Sequence, residues 1–158
     1  EEVIEAFLAS GGGERATLTI GGPAADPVYA ERIQAKTKDH PSIVWDARSI
    51  PYDELPMYLA RFDVLINAYP GSLDKTIVES AMTGLVTIAA TDGMSEWLDQ
   101  KDFWLMAKTI DERVQALKCL YDLPFEARLE LVHRLRERAI EHHSLDKQIQ
   151  KLIPLLQS

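Results

Sequence analysis

Cysteine is nearly absent: Cys119 is the only one in 158 residues. That excludes an internal disulfide framework and any Cys-rich metal site. Cys119 lies in an apolar stretch of helical period, where a buried structural thiol is expected. Long apolar runs are missing too, so no segment is long enough to span a bilayer. No signal-peptide pattern opens the chain, and these absences together predict a cytoplasmic protein. Basic side chains are in short supply, with 17 Lys and Arg against 25 Asp and Glu and a net charge of −8. Residues 1–110 hold 17 acidic and 9 basic side chains and residues 111–158 hold 8 of each, so the front portion carries the whole deficit. Nucleic acid and anionic membranes bind proteins through an excess of cations, so neither is an expected partner. The GxGxxG and GxxxxGK[ST] fingerprints are absent, and no Ser-His-Asp arrangement stands out.

What is present is an ordinary globular composition, 46% hydrophobic and 27% charged, of a length that suits one domain over residues 1–158. The opening EEVIEAFLAS already reads as helix, ended by Gly11, Gly12 and Gly13, so a fragment of a longer architecture is expected. Short apolar strands then alternate with segments of helical period. Strands are predicted at Ala16–Ile20, Ser42–Trp45, Asp63–Ala68 and Leu85–Ala89, with a last short one at Phe103–Met106. Helices are predicted near 28–38, 52–62, 75–83, 110–122, 125–142 and 145–157. Strands that are apolar throughout and separated by helices predict an α/β fold. The expected form is a Rossmann-like, doubly wound parallel sheet with helices on both faces and a helical C-terminus. In such sheets ligands bind at the carboxyl ends of the strands. The loops Gly21–Asp26, Ala47–Pro51 and Tyr69–Lys75 are therefore the candidates, with Thr91–Ser95 a weaker one.

The most informative stretch is NAYPGSLDKTIVESAMTG, residues 67–84. A buried strand ends, Pro70 and Gly71 turn the chain, and small polar residues precede a helix. Amides at such a helix start form an anion site that the helix dipole strengthens. Lys75 in the first turn opposes that dipole, yet it is well placed for a phosphate lying above the helix. Glu79, one turn on, projects from the same face. The plainer alternative is that Ser72 or Asp74 only caps the helix and that Lys75–Glu79 is only a surface ion pair.

The segment GSLDKTIVESAMTGLVTIAA resembles the donor-site stretch of family 4 retaining glycosyltransferases, which have the two-domain GT-B fold. Glu79-Ser80-Ala81-Met82-Thr83-Gly84-Leu85-Val86 is similar to the second half of that family's motif, and Gly71 to Lys75 look like the variant of one subgroup. The strand and turn Leu18 to Pro23 and the run from Glu54 to Val64 are similar to its flanking elements. The resemblance implies the C-terminal, nucleotide-sugar-binding domain of an enzyme that passes a hexose from a nucleoside diphosphate to an acceptor with retention. It implies Glu79 on the ribose hydroxyls, and amides of Ser72, Leu73, Asp74 and Lys75 facing the diphosphate or sugar, with Thr76 beside them. Lys75 offsets diphosphate charge, and Asp74 is the candidate to replace a carboxylate that the family carries where this chain has Gly71. Arg48 and Ser49 border the base. Gly21 and Gly22 allow close backbone approach, with a plain strand-ending turn as the alternative. No metal and no cofactor beyond the nucleotide-sugar substrate are implied. A sugar or lipid-linked acceptor would be held by an N-terminal domain outside this sequence, which leaves membrane association of the full-length enzyme open.

Three departures bear on this. Gly71 stands in place of the family's first Glu, and the resemblance would put both the loop that normally grips the diphosphate and the acceptor domain outside this sequence. The first departure motivates a rival from another class, a non-catalytic nucleotide-sugar-binding or protein-pairing module of the same fold. Elsewhere the signals are weaker. Adjacent His142 and His143 cannot converge on one metal from a helix and read as a fraying helix end. Arg134, Arg136 and Arg138 read as a solvated helix face, and Trp45, Trp97 and Trp104 as packing residues.

Overall fold

The computed structural model describes residues 1–24 and 26–156. Helices α1 (Glu2–Ala9) and α2 (Gly12–Arg15) lead into strand β1 (Leu18–Gly21). Helix α3 (Pro27–Thr37), strand β2 (Ile43–Asp46), the short helix α4 (Leu55–Leu59) and strand β3 (Val64–Asn67) follow. Helix α5 (Lys75–Thr83) and strand β4 (Val86–Ala89) precede two 3₁₀ segments, Asp92–Glu96 and Gln100–Leu105. Helices α6 (Ile110–Asp122), α7 (Phe125–His143) and α8 (Leu145–Leu156) complete the described chain. Residue 157, the expected end of the last helix, lies outside the described residues, as does Ala25 of the first candidate loop.

Local chemistry sets most of these boundaries. Asp26 caps α3 by accepting from the Val28 amide at 2.9 Å, and Pro27 occupies the first helical position, where no amide is needed. Thr109 and Glu112 close a reciprocal capping box at the start of α6. Gly84 ends α5 in the left-handed region at φ +100°, which glycine adopts without a Cβ penalty.

The fold is α/β with parallel pairing, in two small sheets. Strand β1 pairs with β2 in the register Leu18↔Ile43 to Gly21↔Asp46. Strand β3 pairs with β4 from Val64↔Val86 to Asn67↔Ala89. No hydrogen bonds join β1 to β3 among the described residues. Both strands instead line a cavity of about 890 Å³ that also touches Phe7, Ile33, Leu59 and Leu117. The larger core lies on the β3–β4 side, where β4 is wholly buried. It joins Ile77 and Ala81 of α5, Trp97, Leu105, Leu117 of α6 and Leu131, Leu135 and Ala139 of α7. A smaller cluster of Ile4, Phe7, Ile33 and Ile43 covers the β1–β2 pair. Buried Arg113 of α6 donates to Glu2 of α1 at 2.8 Å and to the Lys108 carbonyl at 2.9 Å, tying the chain's start to its helical end.

Several expectations are corrected. Phe103–Met106 is not a strand. A 3₁₀ segment runs to Leu105, and only Met106 bridges Ala89. The helix expected over 52–62 contracts to Leu55–Leu59, preceded by turns. Gly12 and Gly13 belong to α2 rather than to a loop. Cys119 is exposed, because the buried stripe of α6 runs through Val114, Leu117 and Leu120 and leaves position 119 off it. Arg134, Arg136 and Arg138 of α7 are not merely solvated. Arg134 forks onto buried Asp102, Arg136 donates to the Met82 carbonyl, and Arg138 pairs with Asp99. The tryptophans pack as expected: Trp97 is in the core, Trp104 packs against it, and Trp45 is half-buried.

Gly12 is fixed by close approach. A Cβ there would lie 2.5 Å from the Phe7 ring and 2.7 Å from the Phe7 carbonyl oxygen. Gly12→Val should therefore lose about 1–3 kcal/mol of stability by overpacking, visible as a lower midpoint in urea with an unchanged slope.

Candidate functional site

The carboxyl ends of the strands carry the polar loops. After β3, Asn67 turns its side chain back to accept from the Tyr69 amide at 2.8 Å. The Thr91 hydroxyl, from the loop after β4, donates to the Gly71 carbonyl at 2.7 Å and accepts from the Gly93 amide. Gly93 lets that loop close on Leu73, since a Cβ there would sit 2.9 Å from the Leu73 Cβ. The segment 69–74 is thus pinned from both sides before α5 begins. Asp74 is the N-cap of α5, accepting from the Thr76 amide at 3.0 Å and from the Asn67 amide group at 3.5 Å. The Ile77 amide bonds the Asp74 carbonyl. The amides of Ser72 to Lys75 have no partner among the described residues.

Lys75 is exposed in the first turn of α5, and no described carboxylate pairs with it. Glu79 is half-buried and accepts from the Tyr52 hydroxyl at 3.2 Å rather than from Lys75. The simple surface ion pair does not form. Gly71 lies under the Tyr69 ring, whose carbons and hydroxyl come within 2.4–2.5 Å of where a Cβ would stand. Tyr69 therefore fills the space that a side chain at position 71 would need.

At the neighbouring strand ends, Gly22 takes φ +107° and its carbonyl accepts from the Trp45 indole at 3.0 Å. Gly21 lies against Tyr58, whose hydroxyl would be 3.1 Å from a Cβ at position 21. Arg48 is engaged by Asp46: its Nε and Nη2 donate to the two carboxylate oxygens at 2.8 Å each. This fork, together with the Arg48 amide, holds the Asp46 carboxyl well below the usual carboxylate range. Burial, and then the nearby Asp46 carboxylate, push the Tyr58 hydroxyl up. A depressed carboxyl contributes stability above its unfolded pKa and loses it as pH falls through the folded value. In a carboxyl-carbon NMR titration Asp46 should stay ionised well below pH 4, and Arg48→Ala should move its midpoint back up toward the ordinary value near 4.

The cavity between the strand pairs is lined in part by Gly21, Gly22, Ile50 and Thr76, so three of the sequence-predicted residues share its wall. Arg48 lies in an adjoining recess with Ile50 and Tyr58. Ser49, Ser72, Leu73, Asp74, Lys75 and Glu79 line neither space. Among the described residues no cluster of metal-ligating side chains occurs. Comparison with protein-family models, curated proteins and solved structures yields no match. The site therefore rests on its own geometry: a helix start with free amides, a lysine with no carboxylate partner among the described residues, and a carboxylate bonded by Tyr52 of the loop after β2.

Sequence reasoning passed over Asp46, Tyr52 and Tyr58 as site residues, and reached Asn67 and Thr91 only as the first residues of the 67–84 stretch and of the weaker Thr91–Ser95 loop. Asp46 had a signal, since it closes an apolar strand two residues before Arg48 and alternate residues of an extended chain share a side. The Tyr52–Glu79 and Thr91–Gly71 pairings had none, because the partners lie 27 and 20 residues apart.

Proposed function

We propose that this chain is the donor-binding domain of a retaining glycosyltransferase that uses a nucleoside diphosphate hexose. The observation that carries the reading is Lys75, a cation without a carboxylate partner in the first turn of α5, beside free amides and one turn before Glu79. A lone cation at a helix N-terminus opposes the dipole, and an anion bound above it would reverse that penalty. The resemblance of residues 71–86 to the family 4 donor motif supplies the chemistry. As the bond from sugar to diphosphate lengthens, charge builds on the leaving oxygens, and fixed amides plus an ammonium stabilise it without reorganising. Glu79 offers two acceptor oxygens to a vicinal diol, and Tyr52 orients one of them.

The doubly wound sheet belongs to the same proposal. Strands β1 and β3 face one cavity with their second edges unpaired. Pairing them would give the order β2-β1-β3-β4, with each new backbone bond adding roughly 0.5–1.5 kcal/mol. Among the described residues no helix is long and apolar enough to cross a membrane.

The Tyr69 ring over Gly71 favours a second reading, a binding or pairing module without turnover, because no carboxylate can stand at position 71 while that ring does. Calorimetric titration with UDP, GDP and ADP and then their hexose derivatives tests the donor site. Saturable binding that requires Lys75 is the expected result, and no binding of any of them would sink the reading. Donor hydrolysis or transfer by a chain joined to its acceptor domain separates the enzyme from the module.

A further inference from the structure

Independently of the donor-domain reading, we infer that the cavity between the two strand pairs is the seat of a fifth parallel strand, an extended apolar segment that runs into α1 and joins β1 to β3 in one sheet. Protein interiors hold few voids larger than a water molecule, whose share of liquid volume is about 30 Å³. A space of about 890 Å³ is far beyond a packing defect. Its walls include two strand edges. The amides of Leu18 and Gly22 bond the carbonyls of Ser42 and Asp46, and the carbonyls of Asp63 and Asn67 accept from Val86 and Ala90. Successive residues of an extended chain point their backbone groups to opposite edges. Thr19 and Gly21 of β1, and Val64 and Ile66 of β3, therefore aim their N–H and C=O groups away from β2 and β4. All four residues line the cavity, and none of these groups has a partner among the described residues. Unpaired edges of this kind are templates for another strand.

An occupant that satisfies two facing backbone edges must present N–H and C=O groups on both of its sides. One extended polypeptide does so at the usual strand spacing of about 4.8 Å, whereas an apolar small molecule or a fatty chain offers no such groups. The remaining walls are apolar: Ile4 and Phe7 of α1, Leu117 of α6, and Leu55, Leu59 and Phe62 ahead of β3. A parallel strand covered in this way is a near-continuous run of Val, Ile and Leu. Strands β1 and β3 are each four residues long, so a strand of similar length completes both ladders. Direct pairing of β1 with β3 would satisfy the same groups only by closing that apolar space.

The placement of α1 gives the source of the strand. Parallel neighbours need a crossover connection, usually a helix. Helix α3 makes it for β1 and β2, and α5 for β3 and β4. Helix α1 lies beside α3 and runs the same way: Glu1 pairs with Arg32 at 2.6 Å, and Glu5 pairs with Lys36 one turn further along both helices. It leads through α2 into β1 and sets Ile4 and Phe7 on the cavity. That is where a crossover helix stands between β1 and a strand on its free edge.

The test compares the whole chain with two versions extended ahead of Glu1 by a strand of about five residues and a Gly/Ser linker of about five, within the usual length of such loops. One strand alternates Val and Ile. The other carries Pro at two of those positions, which removes N–H donors from the ladder. Amide hydrogen exchange reads the free edges. With the Val/Ile strand, exchange at Thr19, Gly21, Val64 and Ile66 should slow roughly a hundredfold more than at Leu65, whose amide faces β4. The proline version should leave all four amides exchanging as in the parent. Urea unfolding of the three chains checks that each is folded. Protection of the four amides already in the parent, at every protein concentration, would mean that β1 and β3 pair directly and would overturn the inference. Parent protection that grows with concentration would give the edges to a second copy of the chain, and would overturn it as well. Equal exchange in all three folded chains would show that the cavity takes no strand. The nucleotide titrations decide the donor site separately, so either reading can fail without the other.

Discussion

Glu79→Ala should weaken nucleoside diphosphate binding roughly ten- to a hundredfold. A hydrogen bond to a charged acceptor contributes about 1.5–3 kcal/mol, and each 1.4 kcal/mol is about tenfold in affinity. The ribose is neutral, so this loss should barely change between low and high salt. Lys75→Ala should behave differently. Its ammonium is exposed in the first turn of α5, without a described carboxylate beside it, and on the proposed reading would act on the diphosphate through a largely solvated field. Its penalty should therefore shrink as ionic strength rises, because the screening length falls from about 30 Å at 0.01 M to about 3 Å at 1 M salt. In a chain joined to its acceptor domain, Lys75→Ala should also lower kcat, since diphosphate charge grows in the transition state. Binding measured for both variants at two salt concentrations decides the matter. If neither change weakens binding, or if Glu79→Ala strengthens it by removing negative charge, the two residues are surface features and the donor site lies elsewhere.

Arg134→Ala should cost about 3 kcal/mol of folding stability while leaving the strand ends untouched. Arg134 of α7 forks onto Asp102 at 2.9–3.2 Å. Asp102 is 4% exposed, within the 3₁₀ segment that follows β4. Removing one member of a buried pair leaves an uncompensated charge, a loss of roughly 3–5 kcal/mol in other buried pairs. The Arg134 side chain keeps 30% of its surface in water, which places this pair at the lower end. For a domain of this size that is about 6–12 °C in Tm. Replacing both partners, Arg134→Met with Asp102→Leu, should recover most of the loss, because no charge is then left buried. A single variant as stable as the parent would show that water already solvates Asp102.

The helices and strands of the middle of the chain were legible because their punctuation is local. Gly84 ends α5 where the sequence places the stop, and Lys75 opens it where the small polar run ends. The four apolar strands, each four residues long, fall within two residues of the expected spans, β1 starting at Leu18 rather than Ala16. Phe103–Met106 was not legible. Its apolar run is short enough to suit either state, and packing of Leu105 into the core selects a 3₁₀ turn. The site divides in the same way. The cap by Asp74 follows from residue types two positions apart. The engagement of Glu79 by Tyr52, and of Gly71 by Thr91, follows from which loops the strands bring together.

The sequence by itself determined the α/β alternation, the position of the helix start at Lys75 and the acidic balance of the chain. Each depends on neighbours within a turn or on a simple sum of charges. Only the tertiary structure decided that Lys75 stands without Glu79, that Arg48 is spent on Asp46, that Cys119 faces outward and that the α7 arginines brace α5 and the 3₁₀ segment. The physical reason is common to all four. A long side chain can reach several partners at similar local cost, and the choice falls to whichever carboxylate, carbonyl or apolar wall the packing of distant segments sets within hydrogen-bond or contact distance.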